Sequence, residues 1–444
     1  MKASSTNNLL SSSKPPAKMG ESYIDTIVIG SMALDYSAAF KKHDIVEKDS
    51  NPGKIKSSVG GVGFNVALAH TLSLLSPSCN YNHLPQSTNT LIAVVADDFA
   101  GQSLMQSLDR SGISGERILK IEKEEYSTAQ YMSLHTKGGE LLLACADMDI
   151  NESPKFHDHI MLQLENTRPK QIILDCNMPP VVITDVIRST RAISPNCRII
   201  IEPTSAPKAK KLSAIKPEIL GVYPNNGVLL ITPTVLEVDA LFESFESSAR
   251  FDDFKNWFPI VDSLGLDNQF RQYLAKAHHI FNKGLDEGFL QKCFRLLPYF
   301  STILLKLGSK GIVRLAISSD ADASASFISN SPFQPTCRVT SKGKIYSDQN
   351  NANKRIGIVV EYFKPPKVLD RDAIKNVTGC GDSFLGYFSA KLAVAQNISE
   401  DSLVSAKGPF ESQHITWEAI YKGQIASLLS LQNDNAVSQH IRNL

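Results

Sequence analysis

The chain of 444 residues is 42% hydrophobic and 20% charged, a globular make-up with length enough to bury a sizeable core. Its 46 basic and 45 acidic residues leave a formal charge of +1, so no global field draws it to nucleic acid or to an anionic membrane. Apolar runs such as "GVLLI" fall far short of the roughly 20 residues that a spanning helix needs, so no membrane segment is expected.

Residues 1–22 are rich in Ser, Asn, Lys and Pro, with neither a secretory apolar core nor an Arg-bearing presequence, and are expected to form a disordered tail. Next comes "YIDTIVIGS", a β-branched run stopped by Gly30, which predicts a buried first strand. Similar compact runs recur in "NTLIAVVADD", "QIILDCN", "CRIIIEP", "GVLLITPT" and "FSTILLKLG". Between them lie stretches of helical spacing, including "FNVALAHTLSLL" and "AGQSLMQSLDRSG", and this alternation predicts a mostly parallel sheet covered on both faces.

Two polar, alternating segments interrupt the rhythm, within residues 36–60 and 126–148, and predict a small half-exposed sheet projecting from the main body. Residues 238–300 read as a helical connection longer than a minimal crossover. The Ser- and Asn-rich stretch 318–354 reads as a flexible surface loop. The seven cysteines are scattered and form no CxxC pair, which fits reduced thiols in a cytoplasmic protein.

The chemistry-bearing residues cluster around glycines. There is no GxxxxGK[ST] loop, no HExxH and no GxSxG, and neither "GGVGFN" nor "GCGDSF" completes a dinucleotide fingerprint, which sets a nicotinamide oxidoreductase aside. In "NVTGCGDSFLGYFSAKLAVA" the apolar residues after Asp382 keep helical spacing, so Gly379, Cys380 and Gly381 fall at a helix N-terminus. Unpaired backbone N–H groups there make an anion site, and glycines let an oxyanion approach closely. An aspartate beside an anion is unfavourable as a bystander and sensible as a base that takes a proton from an attacking hydroxyl. A tight turn with Asp382 as a helix cap would carry the same residues.

"SSVGGVGFNVALAH" repeats the pattern with Gly61 and Asn65, whose carboxamide offers both donor and acceptor to sugar hydroxyls; capping with close packing is the structural alternative. Asp35 stands a few residues beyond the first strand, where a solvated loop aspartate is the ordinary reading.

Taken in order, "GSMALD", "GGVGFNVA", "VVADDFAG", "TPTVLE", "KLGSKG" and "NVTGCGDSFLG" resemble the PfkB or ribokinase family of sugar and nucleoside kinases, from about residue 24 to the C-terminus. The resemblance implies one kinase domain over residues 23–444: a three-layer α/β/α ribokinase-like sandwich with a mostly parallel central sheet and a small β-sheet lid. It implies ATP and Mg2+ as cofactors, Asp382 as catalytic base, and the backbone of Gly379, Cys380 and Gly381 as the anion hole for the transferred phosphoryl group. By the same resemblance Asp35, Gly61 and Asn65 hold substrate hydroxyls, while Glu237 of the NxxE-like "TVLE" positions magnesium through water. Lys306, Gly308, Gly311 and Thr378 border the nucleotide, and "GQIASLLSLQNDNAVS" resembles the wall of an adenine pocket.

Three positions depart from the family pattern. Thr234 stands where NxxE has Asn, which predicts altered metal and phosphate positioning, and Asn376 replaces an Asp that helps bind a monovalent cation in some members, which predicts weakened or absent potassium dependence. Cys380 replaces Ala at a helix N-terminus, where a lowered thiol pKa and oxidation sensitivity are the expectation.

"STAQYMSLHTKGGELLLACADMDI" further resembles the lid strand of pseudouridine kinases, with Thr128 and Asp147 as candidate contacts. That implies phosphorylation of pseudouridine on its 5′-hydroxyl. A kinase of ribose, adenosine or another sugar, or a nucleoside-binding protein that kept the fold and lost the chemistry, are the alternatives. The stretch before the first strand is too short for the glycosidase domain fused to this kinase in many relatives, so a separate pseudouridine-5′-phosphate glycosidase is expected. The small sheet's pattern suits a lid and a homodimer clasp equally.

Overall fold

Ile27, Val28 and Ile29 of strand β1 (Thr26–Ile29) point to alternate faces of the sheet, and each face finds its own apolar layer. The protein is described by a computed structural model over residues 25–42, 44–46, 48–79, 88–138, 141–281, 288–326, 330–345, 355–401 and 413–444. The expected N-terminal tail lies outside the described residues.

Among the described residues β1 is one of ten strands in the main sheet, with two strands beyond it on one side and seven on the other. On one side it pairs in parallel with β4 (Asn89–Ala96), and β4 with β5 (Ile118–Ile121). On the other side β8 (Gln171–Asp175), β9 (Arg198–Glu202), β10 (Leu230–Ile231) and β11 (Thr302–Lys306) continue in parallel. The remaining edge is antiparallel: β12 (Ile312–Ser318), β14 (Gly357–Phe363) and β13 (Cys337–Thr340).

Helices cover both faces. One layer contains α3 (Pro154–Glu165), α4 (Pro180–Ile193), α7 (Val235–Ser247) and α10 (Phe289–Phe300), packed with Ile27 and Ile29. The other contains α1 (Val62–Leu74), α2 (Phe99–Ser111), α12 (Cys380–Asp401) and α13 (Gln413–Leu431), packed with Val28. Strands buried on both faces must be apolar throughout, which is why they read as continuous β-branched runs. The short helices α5 (Ala206–Ala209) and α6 (Pro217–Leu220) follow β9. Between β10 and β11, α7 is joined by α8 (Trp257–Ser263), α9 (Asn268–Phe281) and α10, which fill most of the long connection.

A second, four-stranded sheet runs β3 (Gly53–Gly60), β2 (Ala33–Phe40), β6 (Gln130–His135), β7 (Leu141–Asp147). It grows directly from the C-terminal end of β1 and leaves Ile55 74% exposed. The small sheet predicted from polar alternation is therefore present, with two corrections. Asp35, read as a loop residue, sits inside β2, opposite Ser58 of β3. The stretch 318–354 is not a structureless loop over its described residues: it carries α11 (Ala321–Ser326) and the edge strand β13. Val339 of β13 is buried against the sheet, and the alternation of "CRVT" was masked by its polar surroundings. Residues 327–329 and 346–354 of that stretch lie outside the described residues.

Candidate active site

Two helices deliver the centre of the site, and glycines let them do so. α1 starts at Gly61, whose φ is 89°; a Cβ there would stand 2.6 Å from Ser31 O, so only glycine lets the helix abut the turn after β1. In α12 a Cβ on Gly386 would meet Ala69 Cβ at 2.5 Å and His70 N at 2.8 Å, so the bare position brings α12 against α1.

The first turns of the two helices then face each other. Asn65 is 2% exposed, and its Nδ2 donates to Asp382 Oδ2 at 2.9 Å. Its Oδ1 is buried without a partner among the described residues. An orphaned acceptor of this kind is costly unless a donor arrives, as a substrate hydroxyl would.

Asp382 is a carboxyl held back from ionising. Burial first, then the like charge of Glu202, push its pKa from 3.8 up to about 7, while the Asn65 hydrogen bond and Lys306 oppose the rise. Asp35 is likewise pushed up to about 7 by burial. Its Oδ2 lies where a Cβ on Gly60 would be, 2.0 Å away, so the carboxyl rests over the bare backbone just before Gly61.

Gly379 supplies the turn into α12 with φ 78°, and a Cβ on it would strike Ala436 O at 2.4 Å. The stretch expected to wall an adenine pocket thus packs against this turn. At Gly381 the nearest foreign atom to a Cβ would be Lys306 Nζ, 3.2 Å away. Bare backbone, a helix N-terminus and an ammonium therefore converge beside Asp382, a combination suited to an anion.

Lys306, at the end of β11, is paired with Glu202 at the end of β9: Nζ lies 2.8 Å from both carboxylate oxygens. Burial works against the ammonium, but Glu202 and Glu237 hold its pKa above the usual lysine value. Thr234 and Glu237 form a capping box at the start of α7, with Thr234 N donating to Glu237 Oε2 at 2.7 Å and Glu237 N to Thr234 Oγ1 at 3.4 Å. One oxygen of Glu237 is thus spent on the cap; burial and Glu202 raise its pKa against the pull of Lys306. Among the described residues no group of three or more His, Cys, Asp or Glu forms a metal cage. Gly308 and Gly311, with φ 59° and 95°, form the turn just beyond Lys306.

Four other expected residues lie outside this cluster or lend it only backbone. Thr128, expected to touch substrate, is fully buried; its Oγ1 accepts from Ala96 N at 2.8 Å and its N–H donates to Asp98 Oδ2 at 2.9 Å. It is spent on joining β4 to the segment before β6. Asp147 is exposed at the end of β7. Cys380 contributes backbone to the cradle, but burial and then the neighbouring Asp382 push its thiol up to about 12, the reverse of the expected activation. Thr378 is exposed, its N–H donating to Asn376 Oδ1 at 2.9 Å.

Two carboxylates escaped the sequence reading. Asp175 ends β8 and accepts from Ser31 N at 2.8 Å and Ser31 Oγ at 3.0 Å; Glu202 ends β9. Their signal was there: in "QIILDCN" and "CRIIIEP" an acid terminates a buried strand, at the carboxyl edge where open parallel sheets bind ligands.

No protein-family model matches the chain. It is 28% identical over 378 residues to a pseudouridine-metabolizing bifunctional protein of Schizosaccharomyces pombe, covering 83% of this chain and 43% of that one. It is 30% identical over 199 residues to a pseudouridine kinase of Escherichia coli, covering 45% of this chain and 58% of the relative. The chain thus spans about half the length of the curated relatives it matches. Among solved structures the ribokinase of Giardia lamblia aligns with a TM-score of 0.54 at 17% identity, over 94% of this chain and 97% of that one. Phosphofructokinase-2 of E. coli aligns with a TM-score of 0.52 at 14% identity, over 94% and 97%. The fold is ribokinase-like, and the chain is similar to curated pseudouridine-metabolizing proteins and, in its ordered motifs, resembles the PfkB/ribokinase family.

Proposed function

We propose that the chain is an ATP-dependent kinase that phosphorylates pseudouridine on its 5′-hydroxyl. The observation that carries the phosphotransfer reading is Asp382: a carboxyl poised near neutrality, hydrogen-bonded to Asn65 and set at the mouth of a glycine-lined helix N-terminus. A base with a pKa near the working pH accepts a proton efficiently, and a preformed ring of N–H groups stabilises charge without reorganising.

In this reading Asp382 accepts the proton of the acceptor hydroxyl as its oxygen bonds to the γ-phosphorus and the bridging bond to ADP breaks. The backbone of Gly379 to Gly381 steadies the phosphoryl oxygens in a roughly in-line transfer. Asp35 and Asn65 Oδ1 accept from substrate hydroxyls, and Gly61 leaves room for them. Gly308 and Gly311 border the nucleotide. Glu237 would help hold a magnesium ion through water, and the ion would supply charge neutralisation on the phosphates.

Pseudouridine as the acceptor is supported by the names of the two relatives and by the "STAQY…ADMDI" segment on β6 and β7. The alternative is another nucleoside or a sugar such as ribose or adenosine, favoured by the burial of Thr128, which removes one expected contact of that segment. ADP release measured with pseudouridine, uridine, adenosine, ribose and fructose separates them. Preference for pseudouridine is the expected result; preference for ribose or adenosine would keep the kinase and discard the substrate, and tight nucleoside binding without turnover would discard the kinase.

A further inference from the structure

Lys306 and Glu202 form a buried ion pair at a place where packing alone gives no reason for one. Their side chains are 14% and 4% exposed. Both carboxylate oxygens accept from Lys306 Nζ at 2.8 Å, and Oε2 also accepts from Thr232 Oγ1 at 2.5 Å, which fixes Glu202 from below. An ammonium has three protons, so two go to Glu202 and the third remains for the side facing Gly381. A buried ion pair is a poor stability device, because apolar residues of similar volume generally serve as well or better. Its value must lie in what the ammonium faces.

We propose that Glu202 is a positioning residue that holds Lys306 as a fixed positive charge against the Gly379 to Gly381 cradle, where Lys306 stabilises the phosphoryl group in transit. The inference rests on the phosphotransfer reading above. During transfer the new bond joins the acceptor oxygen to the γ-phosphorus, the bond to the ADP oxygen breaks, and the hydroxyl proton passes to Asp382. Lys306 stays protonated throughout, kept so by Glu202 and Glu237. Thr234 and Lys306 form an isolated parallel backbone bridge, and the charge of Glu237 acts on the ammonium.

The charged and titratable groups that act on Asp382 are Glu202, Lys306 and Asp175 from the strand ends, with Cys380 beside it and Asn65 bonded from α1. Glu202 raises the Asp382 pKa and Lys306 lowers it, so the two halves of the pair leave opposite marks on a pH profile.

The test compares wild type with Glu202→Gln, Lys306→Met and the double variant, by melting temperature, by ATP-dependent turnover of the preferred acceptor, and by the pH dependence of kcat/KM. Lys306→Met is expected to lower kcat about 100-fold with a smaller change in acceptor KM, the scale seen when one preorganised charge donor is removed. Its acid limb should move to higher pH, and that of Glu202→Gln to lower pH. The double variant should regain the melting temperature of wild type without regaining kcat. Recovery of both stability and kcat in the double variant, or limbs that stay together, would overturn the proposal and leave a structural pair. Wild-type protein that transfers phosphate to no acceptor would overturn the functional reading and this inference with it, whereas normal wild-type turnover with unaffected variants would overturn the inference alone.

Discussion

Asn65 Nδ2 stands 2.9 Å from Asp382 Oδ2, joining the first turns of α1 and α12 across 317 residues of chain. The bond does two things. It orients the carboxyl, and it stabilises the ionised form that a base must have. Asn65→Ala is therefore expected to lower kcat/KM by about 10- to 100-fold and to move the acid limb of the profile to higher pH. A pH–rate comparison checks this; an unchanged limb would remove Asn65 from the base's control.

The raised pKa of Asp382 has a consequence for stability as well as for rate. A carboxyl at about 7 in the folded protein and 3.8 unfolded binds more protons when folded, so its contribution turns increasingly unfavourable as pH rises from about 4 to about 7. Activity should rise through the same window as the base ionises. Asp382→Asn, which cannot ionise, should then melt higher than wild type, with the advantage larger at pH 8 than at pH 4. Thermal unfolding at the two values measures this, and an advantage independent of pH would contradict the assigned environment.

Gly386 sets the distance between the two helices. Gly386→Ala would place a methyl group within 2.5 Å of Ala69 Cβ and force α12 away from α1. A loss of about 1–3 kcal/mol in chemical unfolding is expected, with a fall in kcat/KM as Asn65 and Asp382 separate. Loss of stability with full activity would show that the site tolerates the displacement.

Cys380 should be inert. With its thiol pushed up to about 12, very little thiolate exists at neutral pH. Alkylation followed by mass spectrometry is expected to label exposed Cys145 well before Cys380, and Cys380→Ala should retain activity because only the backbone serves the cradle. Rapid labelling of Cys380 would restore the oxidation-sensitive reading.

What the sequence revealed and what it hid divide along chain separation. The strand β1, the glycines at 379 and 381 and the helix that follows were readable because each rests on a local pattern: an apolar run, a helical spacing, a bare turn. Glu202, Asp175 and the Lys306 pair were harder to see, since strands distant in sequence bring them together and their local mark, an acid ending a buried strand, becomes a site only through the sheet order. Thr128 shows the converse error. A motif resemblance placed it at the substrate, whereas its burial between β4 and β6 uses up its hydroxyl. Cys380 failed for a related reason: a helix N-terminus favours the thiolate, but desolvation and the adjacent Asp382 outweigh it.

The most direct test of the central claim is a single-turnover measurement of phosphoryl transfer from ATP to pseudouridine by wild type and Asp382→Asn, with nucleoside binding measured on both. The account predicts that the variant binds the nucleoside within a few-fold of wild type while transfer falls by about 100-fold or more. Transfer by Asp382→Asn at a rate close to wild type would contradict the assignment of Asp382 as the base.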